Sequence, residues 1–217
     1  YKVFVHTYSP ITTSGVKWLP MERFNNVEIR RYRWFGKNLL HKIEKIPLLH
    51  FLYITPYLFL RAFIFMLFNS QKIDIIHGHG FNAALIGMVL KIVFGKRLFL
   101  SIHAIYELNP KSITAKLTKK ILLAADGIST LSKASLEELV TFGIPRNKIS
   151  LHRNWADLQR FKPVENKKRL REELEVPDNF TVVCVARLTE IKGVREYVAV
   201  AKRIPQVTFL IVGNGPL

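Results

Sequence analysis

Leu98-Phe-Leu-Ser-Ile-His103, the helical stretch 113–124 and Gly127-Ile-Ser-Thr-Leu131 together decide the fold class. Both outer runs are too continuously apolar to alternate between core and solvent, which is the composition of a parallel strand covered on both faces. The middle stretch repeats its apolar residues at helical spacing. Strand, helix, strand in that order is a βαβ unit. The alternation continues outward: strand 73–77 and helix 81–94 come before it, helix 133–142 and strand 148–152 after. Beyond these lie helix 167–175, strand 181–186, helix 194–204 and strand 208–212, and strands 2–8 and 27–32 precede the whole series. The expectation is an α/β protein with doubly wound parallel sheets. Ser132 stands where the helix over 133–142 needs its cap, and Gly143 with Pro145 ends that helix. Asn154-Trp155-Ala156-Asp157 through Pro163 is polar and irregular, and the charged run from Glu165 to Arg169 follows it. This break is read as a border between two domains, 1–163 and 164–217.

Composition narrows the function. With 49% hydrophobic residues in 217, the chain can build a core, which excludes a disordered tail. The single cysteine, Cys184, excludes an internal disulfide and a multi-thiolate metal site, and it fits a reducing, cytosol-like setting. Lys and Arg number 33 against 16 Asp and Glu, a net charge of +17, so the expected partners are anionic: nucleic acid, phosphorylated small molecules or an acidic lipid surface. Tyr1-Lys-Val-Phe-Val5 is not laid out as a secretion signal. The opening without Met and the stop after Gly213-Asn-Gly215-Pro216-Leu217 lead to the expectation of a fragment cut at both ends.

Residues 46–68 raise the membrane question. The stretch approaches the length of a span, but Arg61 at mid-bilayer would cost about 2.5–3.5 kcal/mol, and Pro47 and Pro56 interrupt it. Three readings stand: a helix or helix pair buried on the sheet, which is preferred, an interfacial helix facing a membrane, and a true span. Lys37, Lys42, Lys45 and Lys72 would suit an anionic surface.

Chemistry is expected at strand ends, because ligands of open α/β sheets sit beyond the carboxyl ends of the strands. In Val185-Ala-Arg187-Leu-Thr-Glu-Ile-Lys192-Gly193, two cations stand between a buried strand and a helix start, whose free N–H groups favour anions. That is the make-up of a diphosphate site; the plain alternative is a solvated Arg and Lys. His103 follows strand 98–102, with Tyr106 and Glu107 after it, and is placed to hydrogen-bond a sugar or phosphate unless it is structural. His77 and His79 have no third ligand at suitable spacing, so no metal is expected. Gly213 and Gly215 permit a tight turn or a close backbone approach. There is no phosphate-binding P-loop, no Gly-x-Gly-x-x-Gly and no Gly-x-Ser-x-Gly, so ATPase, nicotinamide and common hydrolase chemistries lack support. The run Arg30-Arg-Tyr-Arg-Trp-Phe35 admits nucleic acid or lipid head groups. On a strand, however, Arg31 and Arg33 face one side and Tyr32 and Trp34 the other, so a solvated strand edge is expected.

The ordered series of motifs resembles glycosyltransferase family 4. It comprises Asp74-Ile-Ile-His77, Leu100-Ser-Ile-His103, Ala125 to Ser132, Gly143-Ile-Pro145 with Lys148-Ile149, Asn154 to Pro163, Ala186-Arg-Leu188 with Lys192-Gly193, and Gly213 to Pro216. The resemblance implies the GT-B fold of two Rossmann-like domains. It implies Arg187 and Lys192 as cations on the donor diphosphate, His103 as the acceptor-domain histidine facing the donor sugar, and Gly213 and Gly215 as the glycine turn near the donor. Asn154 and Asp157 match the stretch leading into the linker, with Trp155 replacing the usual Gly and Ala186 the Gly before Arg187.

Strand 2–8 corresponds to the family's second strand, so the opening strand, glycine loop and helix are expected to be missing. The family's glutamate pair would fall after Leu217, which leaves the second domain incomplete and this fragment alone inactive. The implied activity is hexosyl transfer from a nucleotide-diphosphate sugar to a lipid-linked or polysaccharide acceptor, with retention and without metal or cofactor. The implied place is the cytoplasm, peripherally on the inner face of the membrane, with no nucleic-acid partner. A rival of another class is a basic, non-catalytic module that binds membrane surfaces or nucleic acid on the same fold.

Overall fold

The computed structural model describes residues 1–10, 17–34, 39, 43, 46–102, 112–215 and 217. They form two compact units. One comprises Tyr1–Ser9 and Leu19–Trp155; the other comprises Ala156–Leu217 and, among the described residues, Pro10, Lys17 and Trp18.

The first unit carries β1 (Val3–Tyr8), β2 (Met21–Phe24), β3 (Val27–Tyr32), α1 (Pro47–Asn69), β4 (Ile75–His79) and α2 (Gly80–Phe94). It continues with β5 (Arg97–Ile102), α3 (Ile113–Ala124), β6 (Gly127–Thr130), α4 (Lys133–Thr141) and β7 (Ile149–Leu151). β4, β5, β6 and β7 pair in that order, all parallel. A second sheet has the order β1-β3-β2, with β1 parallel and β2 antiparallel to β3. The second unit holds α5 (Lys167–Glu173), β8 (Thr181–Val185), α6 (Val194–Arg203) and β9 (Thr208–Val212), with β8 parallel to β9. The α/β class with parallel sheets is therefore the one the chain adopts. Strand β2 is an addition: its four exposed residues carry no apolar period, and it joins β3 through a two-residue turn in which Asn25 takes φ 50°.

The main core lies under β5 and β6. Leu98 and Leu100 are 0 and 1% exposed and pack with Ile121, Ile128 and Leu139. Ser132 Oγ accepts from the Ser135 amide at 3.0 Å and caps α4, while Gly143 takes φ 93° after its end. Asp126 accepts from Lys91 Nζ and from the Leu98 amide, both at 2.7 Å. The Lys91 contact and then the Leu98 amide hold its carboxyl below the usual carboxylate range.

α1 is a single helix with Pro56 inside it. Its Phe65 lies 5.1 Å from Phe4 and 4.6 Å from His6, ring centre to ring centre, and Met66 packs with Ile86 and Leu90 of α2. Arg61 stacks over the Tyr32 ring at 4.7 Å. This packing corrects the reading of the Arg30–Phe35 run as a solvated edge. β3 is the middle strand of its sheet, Arg30 pairs with Glu28 at 2.6 Å, and Arg31 pairs with Glu22 at 2.6 Å. Tyr32 is buried, and Trp34 stacks on Tyr8 at 4.2 Å and on Tyr53 at 5.7 Å. The parity expected of the run holds; the aromatic side simply has α1 over it. Phe35 lies outside the described residues.

Among the described residues, β1 and β4 each pair on one edge only. Between them lies a cleft of about 500 Å³, lined among others by Val3, Phe4, His6, Phe65, Ile75 and Ile76.

Candidate functional site

In the second unit, β8 and β9 run side by side with Val185 opposite Val212, so the segments leaving both strands emerge at the same end. Tyr197 of α6 donates its hydroxyl to the carbonyl oxygens of Val182 and Leu210, at 2.8 and 3.0 Å, which ties the helix to both strands. Arg187 and Lys192 both lie between β8 and α6: Arg187 follows the strand, and Lys192 ends the short turn Glu190–Lys192. Both are exposed, and neither side chain has an ion pair or hydrogen bond among the described residues. Gly193, at φ 67°, starts α6 with no side chain capping its first turn. The neighbouring Arg195 is already committed, to Glu190 at 2.8 Å. Two cations without a partner among the described residues thus stand in the segment that leads into the uncapped first turn of α6, which also carries Glu196. A basic segment before a helix start suits an anion chemically.

The glycines serve this segment directly. A Cβ on Gly213 would lie 1.8 Å from the Ala186 carbonyl oxygen, and one on Gly215 would lie 2.1 Å from that of Leu188. Leu188 N–H donates to the Asn214 carbonyl at 3.0 Å, and Ala186 N–H to that of Val212 at 3.1 Å. The backbone holding Arg187 is therefore laid against the glycine segment with no room for a side chain between them.

In the first unit, His103, Tyr106 and Glu107 lie outside the described residues. The His77 and His79 rings meet in a tilted contact at 4.4 Å between ring centres. His77 Nε2 hydrogen-bonds Ser101 Oγ at 2.9 Å, which meets Ser129 Oγ at 2.8 Å. Burial, and then the neighbouring His79, push the His77 imidazole below its ordinary value. This polar chain across β4, β5 and β6 was not foreseen. Its only sequence signal is one serine in each of two successive apolar strands, and register alone sets Ser101 opposite Ser129. Among the described residues no three His, Cys, Asp or Glu side chains gather as metal ligands. Asp157 accepts from the amides of Gln159 and Arg160 and serves a local turn.

Parallel strands with helices between them place the chain among the open-sheet α/β proteins. Residues 4–160 match Glycosyltransferase Family 4, and the chain belongs to that family. It is 33% identical over 82 residues to alpha-galactosylglucosyldiacylglycerol synthase of Streptococcus pneumoniae, a match that covers 36% of this chain and 22% of that protein. It is 26% identical over 95 residues to the putative colanic acid biosynthesis glycosyl transferase WcaI of Escherichia coli, covering 42% and 23%. Anabaena HepE in complex with UDP superposes with a TM-score of 0.65 at 18% identity, over 99% of this chain and 61% of HepE. Sucrose-phosphate synthase from Thermosynechococcus elongatus gives 0.63 at 18%, over 97% and 51%. These likenesses show the fold. The matches span under a quarter of the curated relatives and about half to three fifths of the solved chains.

Proposed function

We propose that this polypeptide is part of a glycosyltransferase that moves a hexose from a nucleotide-diphosphate sugar to a lipid-linked or polysaccharide acceptor. Residues 1–163 form the acceptor side, and 164–217 begin the donor domain. The supporting observation is that Arg187 and Lys192, without partners among the described residues, both stand in the segment between the end of β8 and the uncapped start of α6. As the bond from sugar to diphosphate breaks, negative charge grows on the departing oxygens. Arg187 offers a fork of donors and Lys192 a point charge, so together they neutralise it without a metal or further cofactor. Gly213 and Gly215 keep the Arg187 backbone in place for that contact. The acceptor hydroxyl enters on the face the diphosphate leaves and gives its proton to the departing phosphate oxygen, which gives retention, and His103 faces the donor sugar. The names of relatives support the donor and acceptor classes: HepE has been solved with UDP-glucose, and the pneumococcal relative is named for a diacylglycerol glycolipid. A cytoplasmic enzyme lying peripherally on the inner face of the membrane fits these acceptors.

The same reading takes the chain as a piece of a longer protein, with an opening strand and helix before it and the rest of the donor domain after it. The cleft between β1 and β4 supports this, because one strand paired with both would join the two sheets of the first unit into one. His6 Nε2, on the wall of that cleft, is buried without a partner. A right-handed connection from such a strand to β1 would carry its helix on the face away from α1 and α2. Val3, Ile75 and Phe99 are exposed on that face, alternating with the inward Phe4, Ile76 and Leu98.

The rival reading as a nucleic-acid module is not favoured. Its carrier, the 30–35 run, spends Arg30, Arg31, Tyr32 and Trp34 on contacts inside the first unit. In the full-length protein, Arg187→Ala is expected to lower turnover about 10²–10³-fold with no loss of melting temperature, since the side chain has no partner among the described residues. Turnover at the parent level would overturn the assignment.

A further inference from the structure

α1 is apolar on the side that faces solvent as well as on the side that faces the sheet. Surface helices of globular proteins normally carry charged and polar residues outward, and a helix that is apolar all round is either buried or in contact with lipid. Leu49, Leu52, Leu60, Ile64 and Leu67 recur at helical intervals and fall within an arc of about 120° at 3.6 residues per turn. They are between 42 and 55% exposed, and Phe68, at the rim of the arc, is 80% exposed. The inward side of the same helix is already taken by Phe4, His6, Ile86 and Leu90. α1 is long and apolar enough to cross a membrane by length and composition, but only 17% of its most apolar window is buried, and its Arg61 is stacked on Tyr32. These contacts hold the helix on the body of the first unit, so the geometry is that of a helix lying along a surface.

Charge identifies the surface. Residues 45–73 contain no Asp or Glu and carry Lys45, Arg61 and Lys72, within a chain of net charge +17. Glu44 and Asp74 bound that stretch, but Lys42, Lys45, Arg61 and Lys72 outnumber them. An apolar arc with a net basic border matches an acyl layer beneath anionic head groups. It mismatches an acidic-rimmed or mixed protein surface.

We infer that the outward face of α1, centred on Leu60 and Ile64, docks flat on a bilayer that contains anionic lipid. The helix lies in the interface plane with its leucines among the upper acyl chains. This deepens the peripheral membrane association proposed above, and it is read without donor or acceptor, so its failure leaves the transferase reading standing and the reverse also holds.

The test is co-sedimentation of the full-length protein with vesicles of phosphatidylcholine alone and of an equal mixture with phosphatidylglycerol, at low and high salt. Binding is expected to the mixed vesicles, weakening with salt. It should fall roughly tenfold or more in Leu60→Asp/Ile64→Asp/Leu67→Asp, with the helical circular dichroism kept. Should that variant not fold, Leu60→Gln/Leu67→Gln gives the same comparison. The inference is overturned if the parent chain ignores both vesicle types, if it binds both equally, or if the folded variant binds as the parent does. It is also overturned if the parent is a dimer that the variant dissolves, because a second copy is then the occupant.

Discussion

The sheet β4–β7 and the pair β8–β9 are written in the same apolar, parallel-strand idiom, yet they end in different surroundings. In the first, Leu98 and Leu100 are 0 and 1% exposed under α2 and α3. In the second, Val183 and Val185 are 53 and 75% exposed, although β8 pairs along its whole length with β9 and α6 is anchored to both. Strand pairing satisfies the backbone; only a layer on each face dries the side chains.

The contrast breaks most easily on stability. Leu100→Ala should cost about 2–5 kcal/mol through lost burial and a residual cavity, whereas Val183→Ala should cost no more than about 0.5 kcal/mol. Urea unfolding of the two variants measures both, and similar losses would mean that the exposed strand is energetically as central as the buried one.

Next in size is a pH effect confined to the first unit. Burial first, then Arg30 and Arg61, bring the His6 imidazole down to about 4, from 6.5. Between those values the unfolded chain takes up a proton that the folded one refuses, so stability is complete above 6.5 and declines as pH falls toward 4. The decline is at most about 3 kcal/mol before solvent screening is allowed for. His6→Leu should flatten the stability curve across that window, and an unchanged slope would assign the pH dependence elsewhere.

The smallest of these effects on stability sharpens the second unit. Gly213→Ala puts a methyl group against the Ala186 carbonyl and should cost about 1–3 kcal/mol. In the full-length protein it should also weaken donor binding by displacing Arg187. Unaltered binding in a correctly folded variant would show that the glycine segment does not position that residue.

The buried parallel strands were legible because covering both faces leaves a mark in sequence, a run of apolar residues with no alternation. β2 left no such mark, since Met21–Phe24 is exposed throughout. Pro56 argued for a break that did not occur. A proline inside a helix removes one backbone hydrogen bond, and here Phe65 and Met66 fasten the helix on the far side of it. Hydropathy announced how apolar 46–68 is, but which half of its circumference is covered depends on tertiary packing. At the candidate site, Arg187 and Lys192 were readable from their place between strand and helix. The seating of Gly213 against Ala186 and the His77–Ser101–Ser129 chain depend on register between strands, which no single segment encodes.

Among the described residues, β1 and β4 each leave one edge unpaired, a row of backbone donors and acceptors. Each such edge is a place where a further strand gains backbone partners that these two sheets leave unused.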